Sequence, residues 1–364
     1  MPTQTQTSLA EAVAAPADQR TQALDRRQEF RDLLRGASPQ RFLTAAWQHF
    51  VGEEYDPARF AAATVGFTRT WDWDWVKINP RAVYYSEAWG SRYDPDDYVG
   101  PVPRLLSPAI ATVADLAAIR PLDPEENPAF AEHLASARLI REQLPDRPLL
   151  QTVFSPLSVL LQLAGLPLYP GDVVQGSDAA FTFDGLVRSD PDAVRAALDA
   201  ISQTLAAYVR RLVAPVAAGG SGLDGVFYAV TGTASAGHLT REAFDVWSRP
   251  HDLRVLDATG DAVVVFHTCR SDSHPEWFAD YPIDALQWDQ FLPGNPPVET
   301  DFGVTTVGGV RSDLFAVGGD RSEVARQLGA TLAFAPERPF LLAPSCTVPT
   351  PADPDSLRRL REAR

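Results

Sequence analysis

The sequence predicts a (β/α)8 barrel. Eight short runs rich in Val, Ile, Phe, Leu and Trp recur along the chain, most with helical stretches between them, and no segment repeats at a fixed period. Two of the runs end in the chain's only cysteines, which places those thiols at strand ends.

The runs, in order, are RFLTAAWQHF (41–50), WDWVKI (73–78), RPLLQTVF (147–154), LDGVFYAV (223–230), DAVVVFHT (261–268), DALQWD (284–289), FGVTTVGG (302–309) and RPFLLAPS (338–345). Continuous apolar stretches of this length are how strands of a parallel sheet covered on both faces read. Eight of them, alternating with helices, predict closure into a barrel.

The intervening helices carry their own signals. Asp190 and Pro191 form a cap followed by proline at the first helical position, after which Val194, Leu198, Ile201, Leu205, Tyr208 and Leu212 recur at three- and four-residue spacing. The stretch 128–144 places Phe130, Leu134, Ala137, Ile140 and Leu144 on one side, and SPLSVLLQLAGL (155–166) reads as a short buried helix. SLRRLREAR at the end reads as a charged helix that closes the barrel. Proline and glycine cluster at 80–107 and 291–311, where long loops are expected. Residues 1–25 read as a mobile tail and 26–364 as one barrel domain.

Composition narrows the function. A hydrophobic fraction of 45% and a charged fraction of 22% are those of an ordinary globular protein. A net charge of −15 repels phosphate backbones and anionic lipid, so neither nucleic acid nor membrane is expected as a partner. The opening residues lack a basic start and a long apolar stretch, and a cytoplasmic location with a small-molecule substrate is expected. Two cysteines cannot build a disulfide framework, which makes each thiol individually informative.

His267 and Cys269 follow directly on VVVF, and Cys346 follows FLLAPS. Parallel barrel strands all end on one face, so residues 77 positions apart in sequence converge there. One histidine and two cysteines match the three protein ligands of a catalytic zinc, the fourth position being left for substrate. Two thiolates leave the ion little net charge, which favours alkyl transfer to sulfur over hydrolysis. The duller alternative is a pair of small buried hydrophobes, or a non-catalytic barrel with structural zinc. His49, His133, His238, His251 and His274 carry no such spacing and read as structural or surface residues, His274 being near enough to serve as a spare ligand.

The SPLSVLLQLAG segment, LDGVFYAV, ALQWD, GVTTVGGVRSDLFAVGGDRSEVARQL and RPFLLAPSCTVPTPADPDSLRRLREA resemble the uroporphyrinogen decarboxylase superfamily over residues 28–362. The resemblance implies a (β/α)8 barrel and one of two activities. One is cofactor-free decarboxylation of a tetrapyrrole or smaller acid; the other is zinc-dependent methyl transfer between a corrinoid carried on a partner protein and a thiol such as coenzyme M. The decarboxylases hold their substrate's carboxylates with an arginine-rich segment after the first strand, where this chain has AAWQHFVGEEYDP with no arginine, Glu53 and Glu54 standing nearby. Asn79 or Arg81 stands where those enzymes carry an aspartate.

The methyltransferase branch is marked by H-x-C and a distant cysteine, which His267, Cys269 and Cys346 match residue by residue. The expected metal ligands are therefore His267, Cys269 and Cys346, with Zn2+ as metal and a corrinoid protein as partner. Lys77, the only lysine, and Arg81 are expected to pair with an anionic substrate group, and Asp289 to orient a ligand or donor. Related barrels often dimerise, so a homodimer is compatible with the resemblance.

Overall fold

The computed structural model describes residues 25–334 and 338–364; all of the expected tail except Asp25 lies outside them. The strands are β1 (Phe42–Thr44), β2 (Val76–Ile78), β3 (Arg92–Val99), β4 (Val102–Ser107), β5 (Leu149–Phe154), β6 (Gly225–Thr231), β7 (Val263–Thr268), β8 (Ala285–Gln287), β9 (Thr305–Val310) and β10 (Phe340–Pro344). Eight of them form one parallel sheet in the order β1-β10-β9-β8-β7-β6-β5-β2, curled as the (β/α)8 barrel. Each coincides with one of the eight runs read from the sequence.

The seam between β1 and β2 is held differently from the rest. Asp74 donates its backbone N–H to the Thr44 carbonyl at 3.0 Å, and its carboxylate accepts the Thr44 N–H at 2.8 Å and hydroxyl at 2.9 Å. One buried acid thus replaces a strand ladder.

Alternation along the strands divides two cores. Side chains such as Leu43, Trp47, Trp75, Phe227, Val265 and Leu341 fill the barrel interior, while the opposite faces pack against the helices. Helix Arg26–Leu34 plugs the amino-terminal end with Phe30, whose ring lies 5.9 Å from Trp75. The helix starts where Asp25 accepts the Gln28 N–H. Its Arg27 and Arg31 pair with buried Asp224 at 2.7 and 3.0 Å, and Arg141 joins the same carboxylate.

Two expectations need correction. The closing helix Pro354–Glu362 exists, but helix Arg26–Leu34 supplies the plug; Arg361 instead pairs with Asp72 at 2.8 Å beside the β1/β2 seam. Residues 80–107, expected as loop, contain helix Tyr84–Ala88 and the antiparallel hairpin β3–β4. The register of that hairpin shifts between Asp94 and Tyr98, around Pro95, which keeps a residue without an N–H out of the ladder.

Candidate metal centre

β7 is buried along its whole length, and its alternation turns Val263, Val265 and His267 into the interior. The inward set continues past the strand end at Cys269, and β10 ends just before Ser345 and Cys346. One ligand atom from each of His267, Cys269 and Cys346 lies within 4.8 Å of the others. Among the described residues, this is the group of three metal-ligating side chains that comes together.

The distances are informative. The two Sγ atoms are 3.8 Å apart, and Cys346 Sγ is 4.0 Å from His267 Nε2. A tetrahedral zinc with bonds of about 2.3 Å to sulfur and 2.0–2.1 Å to nitrogen has an S–S edge of roughly 3.8 Å and an S–N edge of roughly 3.6 Å. Two edges of the triangle are therefore close to zinc size, and the third is within 4.8 Å. The donor set is also right for the ion, and the buried Nδ1 of His267 has no partner among the described residues while Nε2 faces the sulfurs.

The electrostatics separate the two thiols. Cys346 is pushed toward thiolate, first by the hydrogen bond from the Cys269 thiol and then by His267 and Lys77, against its burial. Cys269, the donor of that bond, is held in the thiol form by it and by burial.

Lys77 lies in the interior, buried, with Nζ 4.6 Å from the centre of the Phe227 ring and 5.3 Å from that of Trp47. The Phe227 ring is in turn 5.6 Å from the His267 ring. Burial brings the lysine down to about 7, with Cys346 and Cys269 favouring the charge. Its hydrogen bond goes to Asn79 Oδ1, and no carboxylate pairs with it among the described residues.

Asp289, after β8, accepts the Phe291 N–H at 2.9 Å, and Ser345, the residue before Cys346, is near enough to favour its charged form. Burial raises its pKa. Arg81 departs from the expectation placed on it. Its guanidinium donates to Glu87 at 2.7 Å and to the Glu54 carbonyl at 2.9 Å, and it also pairs with Glu132. Two carboxylates already satisfy this cation, so it braces the barrel mouth and is not free for a substrate anion. His274 hydrogen-bonds Glu276 at 2.7 Å and stacks on Trp277, away from the three donors.

Sequence reasoning missed Tyr169, a buried residue whose hydroxyl is near enough to Cys269 for each to bias the other's proton. The Arg270 guanidinium sits 4.5 Å over its ring and pairs with Asp172 at 3.1 Å, tying the loop of Tyr169 to the residue after Cys269. No spacing connects Tyr169 with Cys269, because they are 100 residues apart and meet only in the fold.

Comparison with known proteins agrees with the architecture. A methyltransferase from Methanosarcina mazei superposes with a TM-score of 0.73 at 17% identity, over 93% of this chain and 97% of that one. A B12-independent methionine synthase from Shewanella sp. W3-18-1, in complex with selenomethionine, gives a TM-score of 0.52 at 11% identity, over 88% and 96%. At such identities the likeness establishes the fold alone. No curated protein matches the sequence significantly. Residues 42–364 match the family described as uroporphyrinogen decarboxylase (URO-D), and the chain belongs to that family.

Proposed function

We propose that this family member is a zinc-dependent methyltransferase that moves a methyl group between a corrinoid on a partner protein and a thiol-type acceptor. The observation that carries the reading is the triangle of His267, Cys269 and Cys346, with its 3.8 Å and 4.0 Å edges. These three residues would hold the ion through one nitrogen and two sulfurs. Zinc so held supplies a Lewis acid of little net charge, suited to keeping an acceptor sulfur as its thiolate.

The protein's own groups arrange the rest. Lys77 places a positive charge beside the sulfurs, where a thiolate or another anionic group of the acceptor would meet it in a low-dielectric interior. Tyr169 lies beside Cys269 under the Arg270 guanidinium and favours the charged form of that sulfur. Asp289, held by Ser345 and Phe291, orients the acceptor or the donor at the mouth. The name of the Methanosarcina protein supports the same chemistry.

The rival decarboxylase reading loses support from Arg81. Arg81, which stands where those enzymes carry an aspartate, is committed to Glu87 and Glu132.

The test is to mix zinc-loaded protein with methylcobalamin and a panel of simple thiols, following loss of the methyl-cobalt absorbance and formation of methyl thioether by mass. Methyl transfer that depends on zinc and is abolished in Cys269→Ser is the expected result. Zinc-loaded protein that transfers no methyl group to any thiol contradicts the proposal and leaves a structural metal.

A further inference from the structure

The barrel mouth holds a second constellation that neither the sequence reading nor the metal triangle uses. Glu54 is 1% exposed, and its Oε1 accepts the Phe50 N–H and meets His49 Nδ1, each at 3.0 Å. A buried carboxylate needs a cation or several donors, and among the described residues His49 is the only side chain that bonds it. Arg81 reaches the Glu54 backbone carbonyl and not its carboxylate. Tyr55 and Tyr98 complete the surroundings, Tyr98 being near enough for the Glu54 charge to act on its hydroxyl.

Two observations put His49 on the side of the barrel that carries the metal triangle, and a third leaves its outer nitrogen free. Ala45 and Trp47 belong to the interior cluster, whereas Ala46 joins the outer one and Phe50 packs on Phe60 and Phe67 of the outer helix, so alternation gives His49 the inward side. The chain that carries Cys346 runs beside it: Val348 donates to the Trp47 carbonyl at 3.0 Å and Thr350 to the His49 carbonyl at 2.8 Å. Finally, Nδ1 is occupied by Glu54, and Nε2 has no partner among the described residues in a side chain that is one-tenth exposed.

We propose that His49 and Glu54 form a proton-accepting dyad for the acceptor thiol, with His49 Nε2 taking the thiol proton and Glu54 fixing the tautomer and balancing the imidazolium. This rests on the thiol-acceptor reading above. When the acceptor enters, its S–H bond breaks, the electron pair stays on sulfur, and the proton passes to Nε2. The sulfur pair then forms the new S–C bond while the methyl group's bond to its donor breaks with the pair left on the donor, which gives a neutral thioether, and His49 returns its proton to solvent. The division of labour is that of an oriented histidine base, in which one nitrogen is tied to a buried acid and the other is bare.

The test uses cobalt(II)-substituted protein and 2-mercaptoethanol as probe, with the increase in thiolate-to-cobalt absorbance above that of the protein's own cysteines followed by stopped flow. A positioned base contributes roughly 10²-fold or more, so His49→Gln, which keeps a donor for Glu54, is expected to slow the absorbance change by about that factor at unchanged metal content. Glu54→Gln is expected to slow it less. In His49→Ala, added imidazole restores the rate in proportion to its concentration, which a merely structural histidine does not predict. Wild-type rates in His49→Gln, or His49→Ala that imidazole does not rescue, overturn the dyad. Wild-type protein that binds cobalt but shows no further increase in absorbance when the thiol is added refutes the thiol-acceptor reading instead.

Discussion

Asp252 offers a calculation that can be checked without any ligand. It lies in helix Arg249–Asp257, is completely buried, and accepts the Tyr228 hydroxyl at 2.6 Å and the Ser248 hydroxyl at 2.8 Å. Burial lifts its pKa from 3.8 to about 7, the hydroxyl hydrogen bonds recovering part of the cost of the charge. Between those pH values the folded state binds the proton and the unfolded chain has released it, so stability falls as pH rises through this window. A gap of about 3 units at 1.36 kcal/mol each amounts to roughly 4 kcal/mol, fully expressed above pH 7. Asp252→Asn removes the titration while keeping a polar group for both hydroxyls. Urea unfolding of the two proteins from pH 4 to pH 9 is the assay. The variant is expected to be close to the wild type near pH 4 and more stable by up to about 4 kcal/mol at pH 8 to 9, less whatever a rearranged hydrogen bond costs, about 1 kcal/mol. A wild-type minus variant difference that does not change with pH would refute the reasoning, because it would mean Asp252 titrates alike in both states.

Two further perturbations probe the frame that positions the site. Asp72, bonded by Arg26 and Arg361 and near Arg147, is depressed to about 2 against the desolvation that opposes it, so Asp72→Asn is expected to lose stability above pH 4. Because that carboxylate is about half exposed the loss should be modest, and thermal melts should converge with wild type as the pH falls toward 2. Phe30, 0% exposed and packed on Trp75, plugs the barrel floor; Phe30→Ala is expected to cost 3–5 kcal/mol in urea unfolding, and a loss below about 1 kcal/mol would mean the first helix is not part of the core.

The barrel strands were legible because strands covered on both faces read as unbroken apolar runs, as VVVF in β7 and FLLA in β10 do. The hairpin was not, because RYDPDDYV in β3 is polar, half-exposed and interrupted by proline, and what pairs it is the backbone of β4. His267, Cys269 and Cys346 could be read together because each sits at a strand end and parallel barrel strands end on one face. Arg81 shows the limit of that logic. Its neighbourhood in sequence offers a free cation, but Glu132 arrives from another helix 51 residues away and joins Glu87 in satisfying it. The pairing of His49 with Glu54 escaped notice for the same reason. Nothing in AAWQHFVGEE shows that the glutamate is buried; only packing of the turn beneath the mouth does that.

Methyl transfer at this site requires that β7 and β10 share one metal. Elemental analysis of freshly purified, untagged protein, set beside the Cys346→Ser variant, tests this most directly. About one zinc per chain in the wild type, lost or strongly weakened in the variant, is the predicted result. A wild type that stays metal-free even after added zinc would contradict it, reducing His267, Cys269 and Cys346 to interior packing and removing the basis for methyl transfer.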